Sequence, residues 1–290
     1  MSNRGRIINV FGVICGILTL LIVSGSLGFI LRGKPLRRVH QSYGAEVGSQ
    51  KQEGEKFVEG EYERLEVENI AGEIRIQGWE NDTVHVRYTK RGPTEQSIRN
   101  LKVVVETSGN ALRIKRDTLH KSFRDTGSIA FEIHVPEKVT EIVAESVSGD
   151  IEITGVVSGI SQELKTVSGK IETSKAADLV ARSTSGTVIF DSSGKKLSIR
   201  TVSGDIRGTM PALKRGSDVN LVSVSGSVQI EADSDLNADV SLSSVSGSIS
   251  CDFPLSVVLK KKNRLEGKIG NGNIRFNVST TSGSIQIRKR

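Results

Sequence analysis

Aromatic side chains are scarce in this chain, where Phe, Tyr and Trp together make up 4% of 290 residues and tryptophan occurs once. So few rings cannot fill an ordinary globular core, and a large interior must be built from stacked aliphatic side chains. Cysteine is nearly absent as well. Cys15 lies in an apolar N-terminal run and Cys251 in an inward-facing strand position, so the two form no disulfide framework and say nothing of redox compartment. The four histidines, His40, His85, His120 and His134, lack metal-ligand spacing. No GxSxG elbow, phosphate loop or GGxGxD calcium-roll repeat occurs, so no cofactor and no metal is expected. Excess positive charge is missing from most of the chain too. Of 40 basic residues, Arg4, Arg6, Arg32, Lys34, Arg37 and Arg38 fall in residues 1–38, which hold no acid; the other 34 face 33 acidic residues, and no nucleic-acid partner is implied.

What the chain has in quantity is glycine, 30 residues, much of it in one repeated phrase. SVSGDIEI at 146–153 recurs in near-copy around Gly149, Gly169, Gly186, Gly204, Gly226, Gly247 and Gly283, at spacings of 20, 17, 18, 22, 21 and 36 residues. The residue before each of these glycines is serine, and three before stands Ser or Thr. Five before and two after, the column is aliphatic, as at Leu164 and Ile171. Period-2 alternation marks a strand with one buried face, so each repeat is strand, Ser-Gly bend, strand. Earlier, LEVENIAGEIRIQG at 65–78 fits the same columns around Gly72, with Asn69 in the hydroxyl place.

A repeat near 20 residues predicts an all-β, right-handed parallel β-helix, or β-solenoid, in which each repeat is one rung and like residues stack about 4.8 Å apart. Glycine then supplies a corner free of Cβ strain. The alternative is a β-sandwich of repeated hairpins, but two-residue hairpin loops favour Asn or Asp where this chain places serine seven times.

In chain order, residues 7–31 run for 25 positions without charge and predict a transmembrane helix within a membrane anchor at 1–38. A cleaved signal peptide, with small residues at VSGSLG, is the alternative. Four basic residues follow the span closely and two precede it, which by the positive-inside rule alone would put the main domain in the cytoplasm. Residues 39–59 read as a polar tether. Residues 60–140 read as a first rung and a capping β unit, with a helix near 94–101 and a hairpin turn at Ser108, Gly109 and Asn110; 141–290 hold the Ser-Gly repeats. Gly267, flanked by Leu265 and Ile269, reads as a worn rung. Lys260, Lys261, Lys262 and Arg264 read as a solvated loop.

Among outward columns, Glu152 and Glu172 on adjacent rungs, with Asp150 beside them, are the best acid/base candidates, yet no groove is implied and no catalytic residue is assigned. The N-terminal span, the [ST]VSG[DSK]I repeats and the ending GNGNIRFNVSTTSGSIQI resemble the bacterial family of putative adhesins with a β-strand-repeat domain. That resemblance implies a single-pass membrane protein with an extracytoplasmic repeat domain, no established catalytic residues, and a link in some members to envelope-stress regulation. The expected role is therefore non-catalytic binding of other envelope proteins or cell-wall components. A self-associating scaffold, an envelope sensor and a polysaccharide-active enzyme are the alternatives.

Overall fold

A computed structural model describes residues 50–118 and 127–290. The span expected at 7–31, the tether up to residue 49, Cys15, His40 and His120 lie outside them. Among the described residues no helix is long and apolar enough to cross a membrane. Secondary structure there is strand apart from one short helix.

The first strands are β1 (Gln50–Val58), β2 (Arg64–Ala71), β3 (Ile74–Gly78) and β4 (Val84–Gly92). Helix α1 (Glu95–Asn100) follows, started by a capping box in which Thr94 and Ser97 exchange side-chain to backbone bonds. Next come β5 (Leu101–Ser108), β6 (Ala111–Thr118) and β7 (Ser128–Val135). The Ser-Gly repeats supply β8 (Glu141–Ser148), β9 (Ile151–Thr154), β10 (Ile160–Ser168), β11 (Ile171–Ser185), β12 (Val188–Ser192), β13 (Lys196–Ser203), β14 (Ile206–Met210), β15 (Asp218–Ser225), β16 (Val228–Ala232), β17 (Ala238–Ser246) and β18 (Ile249–Cys251). The chain ends with β19 (Ser256–Lys261), β20 (Arg264–Ile269), β21 (Ile274–Ser282) and β22 (Ile285–Lys289).

These strands build stacked parallel rungs. The strand before each corner glycine joins one sheet, here the first, and the strand after it joins the second; β11 starts in the second and finishes in the first. Across the first sheet Val67, Ala144, Leu164, Ala181, Ile199 and Leu221 lie in one register. Across the second, Ile74, Ile151, Ile171, Val188, Ile206 and Val228 do the same. All twelve are buried, so the core is two facing aliphatic ladders, as the columns require. The parallel pairing in both sheets excludes the hairpin sandwich.

Both ends depart from sequence order. The rung of β2 and β3 lies between that of β6 and β7 and that of β8 and β9. At the other end β21 and β22 insert between β15–β16 and β17–β18, so the last repeat in the chain is the second rung from that end. Antiparallel strands then cover the ends: β5 on β6, β4 on β7 with β1 beyond it, and the β19–β20 hairpin on β17.

Two expectations are corrected. Gly267 is no worn rung: it sits in β20, antiparallel to Val240, and Leu265 and Ile269 are buried because this hairpin covers the edge of β17. Nor is 50–58 tether, since it forms β1. An edge strand exposed along nearly its whole length needs no apolar period, which is why its polar sequence concealed it.

Candidate functional site: corners and outer faces

The corner glycines at 72, 149, 169, 186, 204, 226, 247 and 283 all have positive φ, from 107° at Gly72 to 159° at Gly204. A second constraint is tighter. A Cβ on Gly204 would lie 2.1 Å from the Gly186 carbonyl oxygen, and one on Gly169 would lie 2.3 Å from that of Gly149. Each corner thus rests its α-carbon on the carbonyl of its neighbour. At Gly72, Gly149, Gly169, Gly186, Gly204, Gly226 and Gly283 the N–H donates to the serine carbonyl on the other side, Gly204 to Ser225 at 2.9 Å and Gly226 to Ser282 at 2.9 Å, so the ladder continues through the bend.

The hydroxyl column is buried beside it. Thr280 Oγ1 donates to the Gly226 carbonyl at 3.0 Å, Ser244 Oγ to Gly283 at 3.0 Å and Ser223 Oγ to Gly204 at 3.2 Å. Asn69 reaches two carbonyls, Gly72 and Ile129. One position after the glycine, Asp150 accepts from the Lys170 N–H at 2.7 Å and Asp205 from the Ser227 N–H at 3.0 Å. The corner glycines and these hydroxyls therefore hold rungs together, while the buried hydroxyls of Ser146, Ser183 and Thr201 in the same column have no hydrogen-bond partner among the described residues.

Glu152 and Glu172 are adjacent on the outer face of the second sheet, as their columns imply. Each is held by a base: Glu152 by Arg75 at 2.9 Å, Glu172 by Lys170 at 2.5 Å. Arg75 also meets Glu73 at 2.7 Å, and these carboxylates raise its already high pKa, Glu152 contributing most. Across the cap the acid-base alternation continues through Glu132 and Arg87 to Glu55. These side chains line a groove of ≈ 580 Å³ with Tyr88 and Thr89, floored by charges that already pair with one another.

Beside that row the structure gathers residues the sequence left scattered. His85 and His134 face each other across β4 and β7 with ring centroids 5.8 Å apart. Phe57 of β1 stacks on His85 at 4.1 Å, and Trp79 lies 5.3 Å from His134. Glu55 meets His85 at 3.1 Å. Burial holds the His134 pKa below its ordinary value, with His85 and Arg87 acting in the same direction against Glu132. Antiparallel pairing within the cap has no period, so no sequence column could have joined these rings. Among the described residues no cluster of His, Cys, Asp or Glu is arranged to hold a metal ion.

Fold and corner geometry define a class, a two-sheet stack of parallel rungs turned at Ser-Gly corners. The chain belongs to the Toastrack DUF4097 family, whose profile matches residues 124–288. Among solved structures it is similar to a "putative cell adhesion protein" from Clostridium sporogenes, at 15% identity and TM-score 0.39, covering 83% of this chain and 100% of that one. It is also similar to a "putative adhesin" from Bacteroides fragilis, at 14% identity and TM-score 0.40, covering 82% and 97%. A "putative lipid binding protein" from Parabacteroides distasonis shows 14% identity and TM-score 0.26, covering 82% and 96%. No curated protein matches the sequence.

Proposed function

We propose that this is a non-catalytic, adhesin-like binding protein of the cell envelope, anchored through residues 7–31 with its repeat domain outside the membrane. One observation carries the reading. Toward the C-terminal rungs the outer face of the second sheet beside the corners changes from paired charges to hydroxyls and amides: Ser227, Ser284 and Ser248 in one column, bonded to one another from rung to rung, and Gln229, Gln286 and Ser250 in the next. Flat rows of hydrogen-bonding groups, set on other rungs than the charged groove beside the cap, whose acids and bases already pair with one another, suit contact with an extended envelope polymer or protein better than turnover of a small substrate. The carboxylates best placed for acid-base work, Glu152 and Glu172, are neutralised by Arg75 and Lys170.

The test has two arms. In intact cells, added protease should reach the repeat domain; full protection overturns the outside placement. Retention of the detergent-solubilised full chain on isolated envelope material should fall at least about fivefold when Gln229, Gln286 and Ser250 become alanine, with the β-sheet circular dichroism unchanged. Unaltered retention overturns the binding face, and polysaccharide turnover abolished by Glu152→Gln replaces this reading with an enzyme.

A further inference from the structure

Toward the C-terminal end of the stack, the outer face of the first sheet exposes aliphatic side chains with bases and no acid among them. Two positions before the corner, neighbouring rungs carry Val202, 45% exposed, Val224, 46%, then the exposed Thr281 and Val245, 72%. Four positions before it the same rungs carry Arg200, the half-buried Val222, Ser279 and Ser243, and Ser243 is in register with Arg264 of the β19–β20 hairpin. That hairpin turns at Lys262 and Asn263. Its Asn263 carbonyl accepts from the Ser244 N–H at 2.9 Å, which sets the turn beside Val245. Arg264 is held by Glu266, but Arg200, Lys261 and Lys262 are exposed and form no ion pair among the described residues. No carboxylate stands in these two columns. The acids around them are already committed, Glu266 to Arg264, Asp239 to Lys268 and, beyond the corner, Asp205 to Arg207.

We infer that this end of the first sheet docks on the surface of an anionic lipid bilayer, with Val202, Val224 and Val245 entering the headgroup layer and Arg200, Lys261 and Lys262 meeting lipid phosphates. Interfacial binding grows with the apolar area buried and with the attraction of Lys and Arg to anionic lipid, and this face supplies both. The hydroxyls between the valines, on Ser243, Ser279 and Thr281, can bond to headgroups without opposing either term. A second copy is a poor occupant, because the face brought against itself sets bases against bases with no acid to receive them. A protein partner is also a poor fit. Protein interfaces are anchored by aromatic side chains and Arg seated in pockets, and the two columns hold no aromatic residue. The surface lies on the sheet opposite the hydroxyl and amide rows, so it stands independently of the binding role proposed above.

The test uses the full chain with Cys15→Ser and Cys251→Ser in the background and an environment-sensitive fluorophore on Val245→Cys. It is reconstituted into vesicles of phosphatidylcholine alone or mixed with phosphatidylglycerol. With phosphatidylglycerol the emission should shift to the blue and be quenched by spin labels at the lipid headgroup. In phosphatidylcholine alone, or at high salt, that quenching should be at least about fivefold weaker. Lys261→Glu with Lys262→Glu should weaken it as far, and so should Val202→Asp with Val224→Asp. All four side chains are exposed, so the β-sheet circular dichroism should not change. The same label on Gln229→Cys, on the opposite sheet, should stay unquenched. Quenching that is absent with phosphatidylglycerol, equal in phosphatidylcholine alone, equal at positions 229 and 245, or unchanged by either pair of substitutions overturns the inference. So does an equal blue shift from soluble polyphosphate added to the detergent-solubilised chain, which would make this a site for free polyanions instead of a bilayer.

Discussion

A single residue type decides whether the corners close. Gly204 is locked twice, by a φ of 159° and by the Gly186 carbonyl 2.1 Å from where a Cβ would stand. Gly109, in the β5–β6 turn, shares the positive φ, at 60°, but has open space around its Cβ position. Gly109→Ala should therefore cost about 1 kcal/mol from backbone strain alone. Gly204→Ala should cost at least about 2 kcal/mol, because adjacent rungs must also separate. Equilibrium denaturation of the two variants measures the difference, and equal losses would remove the carbonyl contact from the explanation. The glycine columns were legible because repetition exposes them, and positive φ follows from a bend next to serine. The carbonyl beneath each glycine was not, since it belongs to another rung and leaves no mark on the repeat itself.

At the scale of elements, β1 is an edge strand that among the described residues pairs with no strand but β4, reinforced by Phe57 on His85 and by the Glu55–His85 contact. His134 completes the ring row, and its pKa is depressed, chiefly by burial. A histidine with a lowered folded pKa contributes stability that is full above its unfolded value, near pH 6.5, and lost as pH falls from there toward the folded value. Charging His134 would also set it beside His85 and Arg87. Amide exchange in β1 and β4 should therefore speed up between about pH 7 and pH 5 relative to the central rungs, and His134→Gln should flatten that dependence. Exchange that responds equally throughout the domain would contradict it. The cap's strands were readable as runs of alternating residues, but β1 was not, for it buries almost nothing. The pairing of His85 with His134 depends on the antiparallel register of the cap, which strand propensity leaves open.

For the whole molecule, the interchange at the ends has a mechanical meaning. In a stack built strictly in sequence order, removing the last repeat would strip one end rung and leave the remainder standing. Here β21 and β22 lie inside, between β15–β16 and β17–β18, so deleting residues 274–290 removes an interior layer and uncovers both neighbours. The truncated chain should fail to fold cooperatively, and a sharp thermal transition within a few degrees of the full chain would count against the interchange. Rung order was not legible because identical columns are interchangeable: the Gly226 rung offers the same aliphatic and hydroxyl partners to the Gly247 repeat as to the Gly283 repeat. The stretch from Asp252 to Asn273, which carries the β19–β20 hairpin, gives the chain length to make the jump, and in the sequence it reads only as a worn repeat around Gly267.

Disulfide trapping within one chain tests this stacking most directly. Val224, Thr281 and Val245 occupy the same column on successive rungs, with Thr281 in the middle. With Cys15→Ser and Cys251→Ser in the background, the pair Val224→Cys and Thr281→Cys, about 4.8 Å apart along the stack, should oxidise to an intramolecular bridge, as should Thr281→Cys with Val245→Cys. Val224→Cys with Val245→Cys, two rungs apart, should stay reduced. A bridge between 224 and 245, with 281 joining neither, would show rungs laid down in sequence order and contradict the architecture described above.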